Sequence, residues 1–201
     1  MKNSSDELLF FINNSIKIKK KIIKLHNKID QAIDLIYSSL KEKRRVYICG
    51  NGGSAADAQH IAAEFMVRLR PEINRDPYPV ISLALDTSTI TACANDYSFE
   101  NLFSRNLQGL GRKHDLLIAI STSGNSKNIL RVLKTARKMN INSIALLGTG
   151  GGKAKEIADI DIIIPSNNTA QIQEEHIFLG HYIAYQVEKK LLKKNLGNSN
   201  I

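Results

Sequence analysis

Apolar residues recur every three or four positions along the first fifth of the chain. Residues 5–43 contain neither proline nor glycine, so nothing in this region interrupts a helix. The spacing predicts two helices or one bent helix. The apolar stripe is broad for a helix lying alone on a surface, so we expect it to pack against something else, such as another subunit. The stripe consists of Leu8, Phe11, Ile12, Ile16, Ile22, Ile23, Leu25, Ile29, Ile33 and Ile36.

Five short apolar runs follow at regular intervals, and each is nearly continuous. Strands that are covered on both faces, as in a parallel sheet, have this pattern. Segments with helical spacing separate the runs, for example 126–140, and residues 171–194 predict a long final helix. Strand–helix alternation predicts an α/β fold with a doubly wound, five-stranded parallel sheet. The runs are VYIC (46–49), VISLAL (80–85), LLIAIS (116–121), SIALLG (143–148) and DIIIP (161–165).

The length of 201 residues predicts a single domain, residues 1–201. Within it, residues 1–43 form the N-terminal helical region and residues 44–195 form the α/β core. Neither an internal repeat nor a low-complexity linker divides the chain. The composition is 43% hydrophobic and 23% charged, which permits a sizeable core.

The net charge of +9 is compatible with a nucleic-acid partner. The lysines, however, concentrate at helical spacing in 17–28 and 188–194. Such runs are more typical of solvated helix faces, so we expect no nucleic-acid partner.

Cys49 and Cys93 lie in apolar contexts without metal-site spacing, which predicts buried free thiols in a reducing compartment. We expect no signal peptide. No apolar run approaches the roughly 20 residues that span a bilayer, so we expect no membrane partner and a cytoplasmic location.

Two polar loops follow the first and third strands, at the sheet edge where ligands bind in such folds. They are GNGGS (50–54) and STSGNS (121–126). Backbone N–H groups at a helix start, together with small hydroxyl side chains, make a good anion site. A tight turn with an N-cap serine is the structural alternative for either loop. Two such loops at one edge favour a phosphate-bearing ligand, and neither has a nucleotide-binding fingerprint, so we expect a small phosphorylated metabolite.

Three further features carry candidate chemistry. His60 and Glu64 lie four positions apart on one helix face, where they could bind a metal, transfer a proton or form a surface hydrogen bond. The final helix offers Gln173, His176 and His181. Taken alone, His181 is expected to be a hydrogen-bonded core histidine, because its surroundings are apolar. A loop at 95–96 could bind hydroxyl groups or form only a turn.

Four segments together resemble the phosphoheptose isomerases. They are CGNGGSAADAQHIAAEF (49–65), TITACANDYSFEN (89–101), ISTSGNS (120–126) and QIQEEHIFLGH (171–181), within a resemblance that runs from about residue 5 to residue 194. The resemblance implies a flavodoxin-like sugar-isomerase (SIS) domain, assembled as a homotetramer with sites at subunit interfaces and with residues 1–43 used in packing. It also implies interconversion of sedoheptulose 7-phosphate and D-glycero-D-manno-heptose 7-phosphate, the first step of nucleotide-activated heptose biosynthesis.

The resemblance also implies roles for individual residues. Glu64 is the base and His181 the acid of an enediol proton transfer. One Zn²⁺ per subunit is bound by His60, Glu64, Gln173 and His181. Substrate is bound by Asn51, Gly52, Gly53, Glu64, Asn95, Asp96, Ser121, Thr122, Ser123, Ser126 and Gln173.

One distance constrains this ligand set. Gln173 and His181 are eight residues apart, about 12 Å along a continuous helix. Either the helix begins after Gln173, or different chains complete each site.

Two rival functions remain. A related SIS-domain protein is a non-enzymatic partner of the bacterial replication initiator, but it lacks the glutamate and the final histidine, which are both present here as Glu64 and His181. The other rival is an isomerase of a different sugar phosphate. The chain departs from the family at Gln171, where an arginine is common, and this could alter affinity for substrate or neighbour.

Overall fold

The structure is a computed structural model that describes residues 3–84 and 86–197. Seven α-helices and five β-strands lie within those residues. The helices are α1 (Ser4–Ile22), α2 (His26–Lys41), α3 (Gly53–Met66), α4 (Thr87–Asp96), α5 (Leu102–Leu110), α6 (Lys127–Lys138) and α7 (Thr169–Gly197). The strands are β1 (Val46–Cys49), β2 (Val80–Ser82), β3 (Leu116–Ser121), β4 (Asn142–Leu147) and β5 (Ile160–Ile163).

The five strands form one parallel sheet with the order β2-β1-β3-β4-β5. This confirms the doubly wound, five-stranded α/β fold. β1 and β3 are neighbours, so the loops that follow them leave the same edge of the sheet. The order reverses direction next to β1, and ligands bind at such a switch point in open α/β sheets.

Alternate side chains of the strands are buried on opposite faces of the sheet. Ile48 and Ile118 pack with α2, α3 and α7 in one apolar cluster. Tyr47 and Leu117 pack with α4, α5 and α6 in the other. Burial on both faces explains why the sequence shows continuous apolar runs rather than alternation.

The second strand is shorter than the apolar run 80–85 predicted. β2 ends at Ser82, and the chain bends through Leu83 and Ala84. The Ser82 hydroxyl accepts a hydrogen bond from the Ala84 N–H, which turns the backbone away from the ladder. Residue 85 of the predicted strand lies outside the described residues.

The N-terminal region consists of two helices, α1 and α2, joined by a 3-10 turn at Ile23–Leu25. α2 is buried against α7 and the sheet, and contributes Ile29, Ile33 and Ile36 to the core. α1 is different, because Leu8, Leu9, Phe10, Phe11, Ile12 and Ile16 are all exposed.

The end of α1 is held to α7 by an ion-pair cluster. Lys19 lies 2.8 Å from a carboxylate oxygen of Glu174 and 2.7 Å from one of Glu175. Glu175 is fully buried, so Lys19 neutralises a charge that would otherwise be costly to bury. None of the helices in the described part of the chain has the length and apolar character needed to cross a membrane.

Candidate active site

The loop between β1 and α3 depends on glycine at two positions. Gly52 has a φ of +56°, in the left-handed region that glycine adopts without strain. At Gly50, a Cβ would lie 2.4 Å from the carbonyl oxygen of Ser54. The chain therefore turns directly from the carboxyl end of β1 into the N-terminus of α3, which faces the site.

The two predicted loops are joined by a pair of asparagines. The Asn51 amide donates to Asn128 Oδ1 at 2.9 Å, and the Asn128 amide donates back to Asn51 Oδ1 at 2.8 Å. Asn128 lies in the first turn of α6 and is buried. Sequence reasoning missed Asn128, although its position just after STSGNS was the available signal. The pair fixes the first loop relative to the second.

The second loop presents a cluster of hydroxyl groups. Ser121 Oγ accepts a hydrogen bond from the Gly124 N–H at 3.1 Å and lies 3.3 Å from Ser126 Oγ. Ser126 occupies the N-cap position of α6, but its side chain forms no capping hydrogen bond. The loop therefore places a serine at the N-cap position, as the structural alternative expected, but the Ser126 hydroxyl lies next to Ser121 Oγ and does not cap the helix. Thr122 and Ser123 lie between them.

A glycine-rich 3-10 turn, Thr149–Ala154, braces the second loop from behind. The Ala154 N–H donates to the Gly124 carbonyl at 2.9 Å, and the Lys153 N–H donates to Asn125 Oδ1 at 3.1 Å. A Cβ on Gly152 would lie 2.4 Å from the Ser123 carbonyl oxygen. Sequence reasoning assigned no role to this turn, although three successive glycines were its signal.

His60, Glu64 and His181 converge at one point. His60 Nε2 lies 3.2 Å from Glu64 Oε1 and 2.8 Å from His181 Nε2. The two imidazole rings are perpendicular, and one atom from each of the three residues lies within 4.8 Å of the others. Glu64 is better protected than His60, because its side chain is 14% exposed whereas that of His60 is 50% exposed.

This convergence requires α3 and α7 to approach closely. A Cβ on Gly180 would lie 2.4 Å from Ile61 Cδ1, so only glycine permits the observed contact. Gly180 and Ile61 directly neighbour His181 and His60 in sequence. The glycine that weakens α7 as a helix is therefore what brings the two histidines within hydrogen-bond distance.

His181 is not the core histidine that the sequence alone suggested. It is partly exposed and contacts His60. The buried histidine is His176, whose Nε2 lies 3.2 Å from the Leu147 carbonyl oxygen. Burial lowers the pKa of His176 to about 4, because the charged ring would lose its hydration.

Gln173 lies near the start of α3 rather than near its end. α7 is continuous from Thr169, so the expectation that the helix might begin after Gln173 is wrong. The Gln173 amide packs against Gly53, where a Cβ would lie 2.6 Å from Nε2. This contact brings Gln173 next to the first loop. Gln171 accepts a hydrogen bond from the Ser166 hydroxyl, just before α7.

Asn95 and Asp96 are the last two residues of α4, not a separate loop. Both are exposed, and the Asn95 amide donates to Asp96 Oδ1 at 2.8 Å. Among the hydrogen bonds of the described residues, none joins this pair to the two loops.

One further carboxyl group belongs to this region. Asp57 lies one turn before His60 on α3, a spacing from which sequence reasoning could have found it. Burial raises the pKa of Asp57, while the nearby rings of His60 and His181 oppose this effect when charged. Its Oδ2 atom is buried without a hydrogen-bond partner among the described residues.

The donor atoms of His60, Glu64 and His181 suit a divalent metal. Catalytic zinc sites commonly have two histidines and one carboxylate and leave a fourth position open. A tetrahedral ion with bonds of about 2.0 Å holds its ligand atoms about 3.3 Å apart. The separations of 3.2 Å and 2.8 Å around His60 Nε2 are close to that value.

Comparison with known proteins gives one consistent family. Residues 10–148 match the SIS domain family model. A phosphoheptose isomerase of Clostridium acetobutylicum is 43% identical over 183 residues, which are 90% of this chain and 92% of that protein. A phosphoheptose isomerase of Helicobacter pylori is 42% identical over 185 residues, which are 92% of this chain and 95% of that protein.

Solved structures agree with the sequence relatives. A phosphoheptose isomerase structure from Francisella tularensis has a TM-score of 0.88 and 34% identity, and the match covers 93% of this chain and 99% of that one. One from Neisseria gonorrhoeae has a TM-score of 0.85 and 36% identity, covering 93% of this chain and 100% of that one.

Proposed function

The chain belongs to the phosphoheptose isomerases of the SIS-domain family, and we propose that it interconverts sedoheptulose 7-phosphate and D-glycero-D-manno-heptose 7-phosphate. This is the first step of nucleotide-activated heptose biosynthesis. The observation that carries the proposal is the convergence of His60, Glu64 and His181 on adjacent helices, one of which begins at the first loop. The related proteins are named phosphoheptose isomerases, so a non-enzymatic partner of the replication initiator is the less favoured function for this chain.

The substrate phosphate binds in the second loop. Ser121, Thr122, Ser123 and Ser126 supply hydroxyl donors, and the N-terminus of α6 adds a favourable dipole for an anion. Asn51, Gly52 and Gly53 bind the sugar at the neighbouring loop, together with Gln173, which packs against Gly53. Asn95 and Asp96 bind sugar hydroxyl groups from the end of α4.

Glu64 and His181 carry out the proton transfers. The Glu64 carboxylate removes a proton from C1 of the ketose while His181 gives a proton to the oxygen on C2, which produces the enediol. Glu64 then delivers its proton to C2, and His181 recovers one from the oxygen on C1, which leaves the aldose. The partial burial of Glu64 keeps water away from the proton in transit.

His60 orients this pair. Its Nε2 atom lies 3.2 Å from Glu64 Oε1 and 2.8 Å from His181 Nε2, so it holds the two side chains next to each other. Asp57, one turn before His60, adds a second carboxyl group to the same face of α3.

We place one Zn²⁺ per subunit on His60, Glu64 and His181. When bound there, the ion supplies a Lewis acid for the substrate oxygens. With Nε2 as the ligand atom, His181 would keep its Nδ1–H group available as the proton donor. Gln173 and His181 are about 12 Å apart along α7, so a Gln173 ligand to the same ion would come from a neighbouring subunit.

We propose a homotetramer in which α1 packs between subunits. The exposed apolar residues of α1, together with Phe178, Tyr182 and Tyr185 on α7, support this arrangement. Cys49 and Cys93 are buried free thiols, which supports a cytoplasmic location.

A turnover assay with sedoheptulose 7-phosphate tests the function directly. The aldose product is followed by NMR, before and after treatment with a chelator and after restoring Zn²⁺. We expect product, with loss on chelation and recovery with zinc. Product that survives verified removal of zinc would exclude the catalytic role of the ion, and absence of product under every condition would exclude the substrate.

A further inference from the structure

Arg75 is a buried arginine that nothing in the reaction uses directly. It lies in the segment between α3 and β2, and its side chain is 3% exposed. Its guanidinium group donates to the carbonyl oxygens of Glu64 at 2.8 Å and Phe65 at 2.9 Å. It also donates to a carboxylate oxygen of Glu188 at 2.6 Å and to the Asp76 carbonyl at 2.9 Å.

Arg75 therefore caps the end of α3 from outside the helix. The last carbonyl groups of a helix lack partners within it, and they carry the negative end of the helix dipole. α3 has no basic residue in its own last turn. Arg75 supplies the missing positive charge at Glu64 and Phe65, in the turn that carries the proposed base.

Glu188 connects this cap to the other catalytic helix. It is 1% exposed on α7, and its second oxygen accepts a hydrogen bond from Arg70 Nε at 2.7 Å. Glu188 follows His181 by seven residues, about two turns, so both lie on one face of α7. The path from the Glu64 backbone to the helix of His181 thus passes through one guanidinium group and one carboxylate.

We propose that Arg75 is a positioning residue for the isomerisation, and that it fixes the Glu64 carboxylate relative to His181 through its bond to Glu188. This inference rests on the proposed roles of Glu64 and His181. A guanidinium group suits the task because its planar fork has five N–H donors and here contacts one carboxylate and three carbonyls, whereas an ammonium group has only three N–H donors.

The test compares Arg75→Met, Arg75→Lys and Glu188→Gln with the unchanged chain. The matched control is Arg137→Met, because Arg137 also donates to a carbonyl, that of Ile157, but on α6. We expect kcat to fall about 10- to 100-fold in Arg75→Met, because misplacement of about 1 Å has such an effect. KM should stay within about two-fold of its normal value. If Arg75→Met fails to fold, Arg75→Lys replaces it, and we expect a smaller fall in kcat with KM again nearly unchanged.

Histidine-ring NMR, with every variant brought to the same metal content, gives a test that needs no substrate. In Arg75→Met or Arg75→Lys, we expect the ring signals of His60 and His181 to shift while those of the buried His176 stay in place. Arg137→Met should shift none of them. Unmoved His60 and His181 signals would overturn the positioning role. Equal movement of His176 would also overturn it, since that result indicates a general structural role.

The two proposals fail separately. If the unchanged chain does not isomerise sedoheptulose 7-phosphate, the proposed function is wrong, and the NMR comparison alone decides the role of Arg75. If the unchanged chain is active and kcat of the variants falls only in proportion to the folded fraction, the positioning role is wrong and the function stands.

Discussion

Single side chains of the site find their partners far along the chain. His60 contacts His181 across 121 residues, and Asn51 contacts Asn128 across 77. Each of these residues lies in a helix or loop whose sequence pattern does not indicate its distant partner. Their chemistry depends on partners that only the folded chain supplies, so the first predictions concern individual side chains.

Replacing Glu64 by glutamine should remove isomerisation without unfolding the chain. The amide keeps the size of the side chain but does not accept a proton, and general base catalysis contributes about 10²- to 10⁴-fold. Initial rates with sedoheptulose 7-phosphate measure this loss. Glu72→Gln is the control, because Glu72 is exposed and lies outside the site. Turnover near normal in Glu64→Gln would contradict its role as base.

Replacing Thr122 by alanine should raise KM about 10- to 100-fold and leave kcat nearly unchanged. A hydrogen bond to a charged group contributes about 1.5–3 kcal/mol, and the proposed contact with the substrate phosphate would be made in both the ground state and the transition state. Steady-state kinetics separate the two constants. Thr135→Ala on α6 is the control. A fall in kcat alone would place Thr122 among residues that act only in the transition state.

His176 should make the chain less stable in acid. The pKa of His176 is about 4 in the folded chain and 6.5 in the unfolded chain. In mild acid the unfolded chain therefore binds a proton that the folded chain does not bind. This destabilising contribution to the free energy of unfolding is absent above the pKa of the unfolded chain, and it grows as the pH falls toward the pKa of the folded chain. Between about pH 7 and about pH 4.5 it lowers the free energy of unfolding by about 2 kcal/mol.

Urea unfolding of the unchanged chain and of His176→Gln at both pH values measures this effect. We expect the drop on acidification to be smaller in the variant by about that amount. An identical drop in both chains would mean that other groups carry the acid sensitivity.

At the scale of elements, the pairing of α3 with α7 determines the site. Gly53 is close to Gln173 and Ile61 is close to Gly180, so the two helices run side by side in the same direction. α3 links the first loop to the His60–Glu64 face within a single helix. In the proposed mechanism, a glycine-rich turn precedes the histidine and glutamate pair because one helix serves both substrate binding and proton transfer.

Gly180→Val should separate these helices. Overpacking of a core typically lowers stability by about 1–3 kcal/mol, and here it also moves His181 away from His60. We expect a lower free energy of unfolding together with weaker activity of the folded fraction. Gly109→Val on α5 is the matched control, because nothing lies within 4 Å of a Cβ there. Equal effects of the two changes would show that helix propensity, not the contact with Ile61, explains the result.

At the scale of the whole molecule, α1 is the least complete part of the fold. Only Ile18 and Ile22 of this helix are buried, although its first half is strongly apolar. Leu8 is 62% exposed and Phe10 is 63% exposed. A surface of this kind is typical of a contact between proteins.

Introducing Leu8→Glu together with Ile12→Glu should disrupt the proposed tetramer. The two carboxylates would be buried without partners in a subunit interface, which strongly opposes assembly. Light scattering coupled to size exclusion measures the mass, and activity should fall with it if the sites lie at subunit interfaces as proposed. Asn13→Glu, which adds a charge elsewhere on α1, is the control. A tetramer that persists in the double variant would exclude this face from the interface.

The sequence by itself determined the fold and the local chemistry. Runs such as LLIAIS predict buried strands because a strand covered on both faces needs apolar residues at every position, and β3 forms over Leu116–Ser121 as expected. Spacing along one helix is equally readable, which is why His60 and Glu64 could be paired in advance. The family could be inferred from four short segments.

Tertiary structure alone decided which distant residues meet. The sequence around His181 does not distinguish it from His176, because both lie in the same apolar helical pattern. In the structure His181 contacts His60, whereas His176 is buried next to the Leu147 carbonyl oxygen. The roles of Asn128, of the glycines behind the second loop and of Arg75 likewise depend on contacts between separate elements. Such contacts are fixed by the packing of the whole core, and the period of hydrophobic residues along one segment carries no information about its partners.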